Sequence, residues 1–146
     1  MSHPETYRFS EQVGYLLRRA YQRHLAIFQA ETSDAQLTSV QLSTLCALRD
    51  GGPQSQIELV KATSVDQATI RGIISRLKAR GLIAFSQHAT DRRKIVIAIT
   101  QAGSATLDEM IPRARRITEL TMKPLNPAER MAFLHTLRLL AEDGEG

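Results

Sequence analysis

The chain has 146 residues, of which 42% are hydrophobic and 23% charged, with a formal net charge of +4. This length and hydrophobic content suit one domain with a real core, and no apolar run is long enough to span a membrane. The opening residues lack the apolar core of a signal peptide, and the single cysteine excludes an intramolecular disulfide. We therefore expect a soluble, cytoplasmic protein from a reducing compartment.

Capping signals predict where the first helices begin. Thr38 with Gln41 and Ser55 with Glu58 have the spacing of a capping box, in which both side chains bond backbone N–H groups of the first turn. A long amphipathic pattern precedes them. The first three helices are expected at about residues 11–30, 39–49 and 56–62.

The cysteine lies in the second of these helices. Cys46 shares an apolar stripe with Leu42 and Leu45, so we interpret it as a small buried hydrophobic residue. A redox switch at Cys46 is the alternative.

The fourth predicted helix, at about 65–80, has two contrasting faces. Ser64 and Gln67 repeat the capping-box spacing, which places the start near Val65. At 100° per residue, one arc carries four aliphatic residues that would face the core: Ile70, Ile73, Ile74 and Leu77. The opposite arc carries four small residues, Ala68, Gly72, Ser75 and Ala79, bordered by polar or basic ones, Gln67, Thr69, Arg71, Arg76 and Lys78. The B-DNA major groove is about 12 Å wide and admits a helix, so a face of short side chains allows close approach to base edges.

A β-hairpin with a cationic loop is predicted next. Gly81 occupies a left-handed C-cap position, and the runs 82–85 and 95–99 are rich in β-forming residues. The loop between them, 86–94, carries three cations at its tip, Arg92, Arg93 and Lys94. Arginine is favoured in a narrow minor groove, and Asp91 is placed to hold the loop arginines.

Positive charge is concentrated on this helix and hairpin. The stretch from Lys61 to Lys94 contains eight basic and two acidic residues, a net charge of +6 against +4 for the whole chain. Such a concentration is typical of a surface that binds a phosphate backbone. Residues 38–99 are therefore predicted to form a winged helix-turn-helix lobe that binds double-stranded DNA.

Two more helices complete the predicted fold. The first begins near Gln101 and contains Pro112, which should kink it. The second has Asn126 as its N-cap, with Pro127 and Glu129 in its first turn, and continues to about Glu142. The terminal helices, 9–32 and 101–142, carry apolar faces that we expect to pair with their copies in a two-fold homodimer. Such a dimer would read half-sites about 34 Å apart in a roughly palindromic operator. The predicted fold class is mainly α with a small β-hairpin wing, in a single domain over residues 1–146.

The string ATDRRKIVIAITQAG, preceded by RLKARGLI, resembles the wing and recognition-helix region of the MarR family of bacterial transcription regulators. The resemblance extends from the first helix to Glu142. It implies a winged-helix homodimer whose DNA binding is often loosened by a small anionic or phenolic ligand. It also implies that Asp91 is a salt-bridging acid of the wing and Arg93 a minor-groove arginine. The base-reading stretch of the family corresponds to Gln67, Ala68, Thr69, Arg71 and Ser75.

The first helix resembles regulators of aromatic-acid breakdown, with the nicotinate-degradation repressors as the nearest branch. In this family, effector pockets lie between the first, second and kinked fifth helices. An imidazole, cations and aromatic faces suit a planar aromatic carboxylate. The candidate effector-binding residues are Arg19, His24, Phe28, Tyr15, Arg23 and Arg49. A histidine on an apolar stripe is also compatible with a hydrogen-bonded core or interface residue.

These observations predict a homodimeric repressor released from its operator by a small aromatic carboxylate, with no metal or other cofactor. One alternative is a winged-helix module that binds protein rather than DNA, and another is a regulator that responds to redox through Cys46. The redox-sensing members of the family use a cysteine in the first helix, where this chain has none. An enzyme is not expected, because the four histidines lack metal-ligand spacing and no glycine-rich phosphate loop or nucleophile elbow is present.

Overall fold

The computed structural model describes residues 6–142. These residues form six α-helices and a two-stranded antiparallel sheet, after a short 3-10 helix at Phe9–Glu11. In chain order the elements are α1 (Val13–Thr32), α2 (Ser39–Gly51), α3 (Gln56–Thr63), α4 (Gln67–Ala79), β1 (Ile83–Gln87), β2 (Ile95–Ile99), α5 (Gln101–Thr121) and α6 (Pro127–Glu142). The predicted order of helices and hairpin is confirmed. Within residues 6–142, no helix has both the length and the apolarity needed to cross a membrane.

The chain divides into two compact units. Among the described residues, one contains 6–27 and 115–142, and the other is Phe28–Ala114. The second unit is larger than the predicted DNA-binding lobe, 38–99, because it also contains the end of α1 and the first part of α5. We refer to them below as the terminal unit and the central unit.

Three of the four predicted capping signals are confirmed. Thr38 and Gln41 form a complete capping box at α2, and Ser55 and Glu58 form another at α3. Before α6, the Asn126 side chain accepts a bond from the Glu129 backbone N–H at 2.9 Å, and the Glu129 carboxylate accepts one from the Asn126 N–H at 3.0 Å. Local sequence therefore determines where these helices begin.

The fourth predicted cap was wrong. Ser64 has a left-handed backbone conformation, with φ 56° and ψ 29°, and ends α3 instead of capping α4. The N-cap of α4 is Asp66, whose carboxylate accepts bonds from the Thr69 N–H at 2.9 Å and from the Thr69 hydroxyl at 2.7 Å. The tight turn between α3 and α4 needs a left-handed residue, so Ser64 cannot also cap, and α4 begins at Gln67 rather than near Val65.

The core of the central unit is built around α4. Its four aliphatic residues are buried as predicted, with exposures of 0% for Ile70, 2% for Ile73, 5% for Ile74 and 0% for Leu77. Leucines of α2 and α3 are equally buried: Leu45, Leu48 and Leu59. Because one side of α4 is fixed in this core, its opposite side faces outward.

The hairpin is attached to this core through buried residues of both strands, Ile83, Val96 and Ile97. Its register pairs Ile83 with Ile99 at one end and Gln87 with Ile95 at the other. Gly81 before β1 has φ 73°, as expected for a left-handed cap. Gln54 extends the sheet through an isolated antiparallel bridge to Ile97. The residues before α3 are thus paired with the middle of β2 and hold the hairpin against the central unit.

The terminal unit exposes apolar side chains on two helices. On α1 these are Val13, Leu16, Leu17, Tyr21 and Leu25, and on α6 they are Met131, Phe133, Leu134, Leu139 and Leu140. Such a surface is typical of a helix that packs against another protein chain. Pro112 lies within α5, which continues through it without a break, and the expected kink stays a prediction.

Candidate nucleic-acid interface

The outward face of α4 presents the predicted base-reading and phosphate-binding residues. Gln67, Ala68, Thr69, Arg71, Ser75, Arg76 and Lys78 are all exposed. The Thr69 hydroxyl donates to Asp66 and is therefore partly committed to the helix cap. The short side chains at the centre of this face leave its backbone accessible, which suits the major groove.

Lys78 also contacts the wing. Its Nζ lies 4.1 Å from the centroid of the Phe85 ring, in a cation–π arrangement. Phe85 is on β1 and is 41% exposed. This contact connects the end of α4 to the first wing strand. Lys78 therefore helps to hold the wing against α4 and also adds positive charge to the predicted DNA-binding surface.

The wing loop, residues 88–94, presents the predicted cations. Arg92, Arg93 and Lys94 are exposed, and the Arg93 side chain is 92% exposed. Asp91 Oδ1 accepts bonds from the Arg93 backbone N–H at 3.1 Å and from Arg93 Nε at 3.3 Å. These bonds hold the pKa of Asp91 below its usual range, so the carboxylate stays charged. Asp91 thus pairs with Arg93 in the loop, and its role in presenting this arginine to DNA stays a prediction.

Sequence reasoning missed a residue at the start of this loop. His88 Nδ1 lies 3.2 Å from the backbone N of Thr90 and 3.2 Å from that of Asp91, and both N–H groups donate to it. The available signal was the spacing, because side chains that accept bonds two and three residues ahead commonly shape turns.

A second candidate site is a cavity of about 300 Å³ within the terminal unit. It is lined by Leu17, Ala20, Tyr21 and His24 of α1, by Thr118, Thr121 and Met122, and by Phe133, Leu134 and Leu137 of α6. His24 Nδ1 lies 2.9 Å from the Thr121 hydroxyl oxygen, and its ring is stacked on Tyr21 with centroids 6.3 Å apart. The cavity therefore combines an apolar wall with one imidazole.

Of the six candidate effector residues, only His24 lines this cavity. Arg19 donates to the Tyr15 hydroxyl at 3.1 Å, and both residues lie further toward the start of α1. Arg23 donates to the carbonyl oxygens of Leu120 at 2.9 Å and Thr121 at 3.4 Å, a favourable position for a cation at the C-terminal end of α5. Arg23 is thus beside the cavity but engaged with backbone.

The other two candidates belong to the central unit. Phe28 is buried, with 6% exposure, and Arg49 forms an ion pair with Asp108 at 3.0 Å. The structure therefore does not bring the six residues into one cavity. Sequence reasoning missed Thr121 and the α6 residues of the cavity wall, because helices distant in sequence contribute them.

Cys46 is half-buried in α2, less buried than its neighbours Leu42 and Leu45. Burial raises the pKa of its thiol, with the nearby Asp50 carboxylate acting in the same direction. A raised pKa lowers the fraction of reactive thiolate. Among residues 6–142, no group of three or more histidine, cysteine or acidic side chains is placed to hold a metal ion.

Comparison with known proteins places this geometry in a family. The sequence profile of the MarR family matches residues 37–95. The chain is 59% identical over 139 residues to the transcriptional repressor NicR of Pseudomonas putida, covering 95% of this chain and 88% of that protein. This relative is a transcription regulator.

Solved structures agree. Bordetella bronchiseptica BpsR, whose DNA binding is regulated by 6-hydroxynicotinic acid, superposes with a TM-score of 0.90 and 54% identity, over 94% of this chain and 98% of that one. The repressor CouR, solved on a 23-mer DNA duplex, superposes with a TM-score of 0.83 and 29% identity, over 96% and 99% of the two chains. The chain therefore belongs to the MarR family of DNA-binding transcription regulators, which are winged-helix dimers.

Proposed function

We propose that this protein is a homodimeric repressor that binds a palindromic operator through α4 and the wing loop, and that a small aromatic carboxylate of the nicotinate type releases it. The observation that carries the proposal is the outward face of α4, where Gln67, Arg71 and Ser75 are exposed above a fully buried opposite face. The exposed Arg93 of the wing loop would supply a second contact. Together they would read the major groove and the adjoining minor groove.

The relatives support the ligand class. NicR and BpsR are more than half identical to this chain, and 6-hydroxynicotinic acid regulates the DNA binding of BpsR. A repressor released by a compound of this kind would control the breakdown of aromatic acids. We therefore propose 6-hydroxynicotinic acid and related pyridine carboxylates as the first effectors to test.

The cavity of the terminal unit supports His24 as a contact to such an effector. A volume of about 300 Å³ with apolar walls fits an aromatic ring, and Tyr21 adds a flat surface beside the imidazole. The ring of His24 has a second nitrogen that can bond a carboxylate or a ring hydroxyl. Arg19, Tyr15, Phe28, Arg23 and Arg49 stay predictions, with Arg23 next to the cavity through Thr121.

A gel-shift titration with the protein's own upstream DNA tests the DNA-binding part of this proposal. We expect a sequence-preferring complex that 6-hydroxynicotinic acid dissociates. His24→Ala should bind the same DNA with nearly unchanged affinity but need at least about tenfold more acid for release. Arg19→Ala is the matched comparison, because it removes a cation from the same helix outside the cavity.

The outcomes separate the parts of the proposal. Release of His24→Ala at the wild-type acid concentration would remove His24 from the effector site. Failure of Arg19→Ala to release would place the site nearer the start of α1. A protein-interaction module, the competing function, predicts no preference for any DNA sequence at moderate salt.

A further inference from the structure

Hydrogen bonds from His88 hold the wing loop in shape. The His88 backbone N–H donates to the Lys94 carbonyl at 2.9 Å and closes the base of the loop. Inside it, His88 Nδ1 accepts from the backbone N–H groups of Thr90 and Asp91, and the Thr90 hydroxyl oxygen lies 3.1 Å away. The Asp91 carbonyl in turn accepts from the Lys94 N–H at 3.0 Å.

These bonds connect His88 to the exposed arginine. The imidazole fixes the backbone of Asp91, and the Asp91 carboxylate fixes both the backbone N–H and the Nε of Arg93. An arginine side chain that is 92% exposed has no packing to direct it, so its direction depends on this carboxylate. Any change that releases the Asp91 backbone therefore also releases Arg93.

We propose that His88 is a positioning residue for DNA binding: its neutral imidazole, accepting at Nδ1, shapes the wing loop so that Arg93 is presented to the duplex. The inference rests on the proposed operator binding through Arg93. His88 itself makes no contact with a base or phosphate in this account. It acts through Asp91.

The bonding fixes the required protonation state. Two backbone N–H donors aim at Nδ1, so this nitrogen carries no proton and Nε2 carries it. A proton on Nδ1 would point at the N–H groups of Thr90 and Asp91, and neither group could then donate a hydrogen bond to this nitrogen.

A double-mutant cycle tests whether His88 acts through Arg93. We expect His88→Ala and Arg93→Ala each to weaken operator affinity by about tenfold, and the double variant to be no more than about twofold weaker than Arg93→Ala alone. Additive losses would overturn the proposal, because His88 would then contribute independently of Arg93. If wild type shows no operator complex, the proposed function fails instead.

A second readout uses a conservative replacement. Asparagine can accept bonds from backbone N–H groups ahead of it, so His88→Asn should restore most of the affinity lost in His88→Ala. Its operator affinity should therefore lie within about twofold of wild type. An affinity of a folded His88→Asn as weak as that of His88→Ala would contradict the proposal. Circular dichroism of each variant shows that it is folded.

Discussion

Two helices of this protein, α4 and α1, both carry an apolar stripe, but they use it in opposite ways. On α4 the stripe is buried in the chain's own core, with Ile70 and Leu77 at 0% exposure. On α1 the stripe is open, with Val13 at 66% and Leu16 at 52% exposure. The residues that α4 exposes are instead polar, cationic or small.

The difference indicates what each surface meets. Water or phosphate groups suit the outward face of α4, since its polar groups stay solvated or exchange water for nucleic acid. The open stripe of α1 is costly in water, and the apolar surface of α6 has the same property. MarR-family regulators are dimers. We propose that the apolar surfaces of α1 and α6 in one protomer pack against those of its partner across the two-fold axis.

The largest expected effect comes from placing a charge on the open stripe. Leu140→Glu on α6 should convert the dimer to monomer and lower operator affinity by more than about a hundredfold, because two half-sites can no longer be bound together. Light scattering gives the mass, and a gel shift gives the affinity. Arg138→Glu, which introduces the same residue at a polar exposed position of α6, is the control and should stay dimeric. A dimeric Leu140→Glu would mean that the interface lies elsewhere.

The buried stripe should show its effect on folding stability. Leu77→Ala should lower the free energy of unfolding by about 2–5 kcal/mol, because it removes packed methyl groups and leaves a cavity in the core of the central unit. Arg76→Ala, at the preceding and exposed position, should change the free energy of unfolding by less than about 0.5 kcal/mol. Chemical denaturation measures both, and equal effects would show that α4 is not oriented as described.

The outward face of α4 and the wing should differ in the kind of binding they support. Arg71→Ala should change preference at particular base pairs by about 1–3 kcal/mol, as expected for a bidentate base contact. Arg93→Ala should instead weaken binding to many sequences by similar factors. Selection of bound sequences from a random DNA pool distinguishes the two. An unchanged preferred sequence for Arg71→Ala would remove it from base reading.

The smallest expected effect concerns the cap of α4. Two hydrogen bonds lower the pKa of Asp66 in the folded protein: the larger effect comes from the Thr69 backbone N–H and the smaller from the Thr69 hydroxyl. A lowered folded pKa contributes stability that is present above the pKa of the unfolded chain, about 3.9, and is lost as pH falls through the folded value. Asp66→Asn keeps the acceptor but not the charge, so its melting temperature should depend less on pH between about 5 and 2 than that of wild type. Identical pH dependence would exclude this contribution.

Much of the fold follows from local sequence. The capping pairs at Thr38, Ser55 and Asn126 and the periodicity of Ile70, Ile73 and Leu77 depend on residues within one turn of each other, so the sequence alone predicts them. Ser64 was assigned wrongly because two adjacent helices compete for the same residue. The choice between a C-cap and an N-cap depends on the tight turn, which the pattern does not show.

The candidate sites divide in the same way. Exposure of Arg71 and Arg93 could be predicted, because a helix face and a loop tip are local features. The cavity could not, because α1, α5 and α6 bring His24, Thr121 and Leu137 together from distant parts of the chain. His88 was missed for a different reason: its bonds are local, but they depend on which ring nitrogen carries the proton, and a sequence does not show that.

The most direct test of the central claim is the salt dependence of operator affinity for wild type and Arg93→Ala. The logarithm of the wild-type association constant should fall linearly with the logarithm of salt concentration, with a slope of about −0.9 per neutralised phosphate. The slope for Arg93→Ala should be smaller in magnitude by about 1. A wild-type affinity independent of salt, or the absence of any operator complex at moderate salt, would contradict the account.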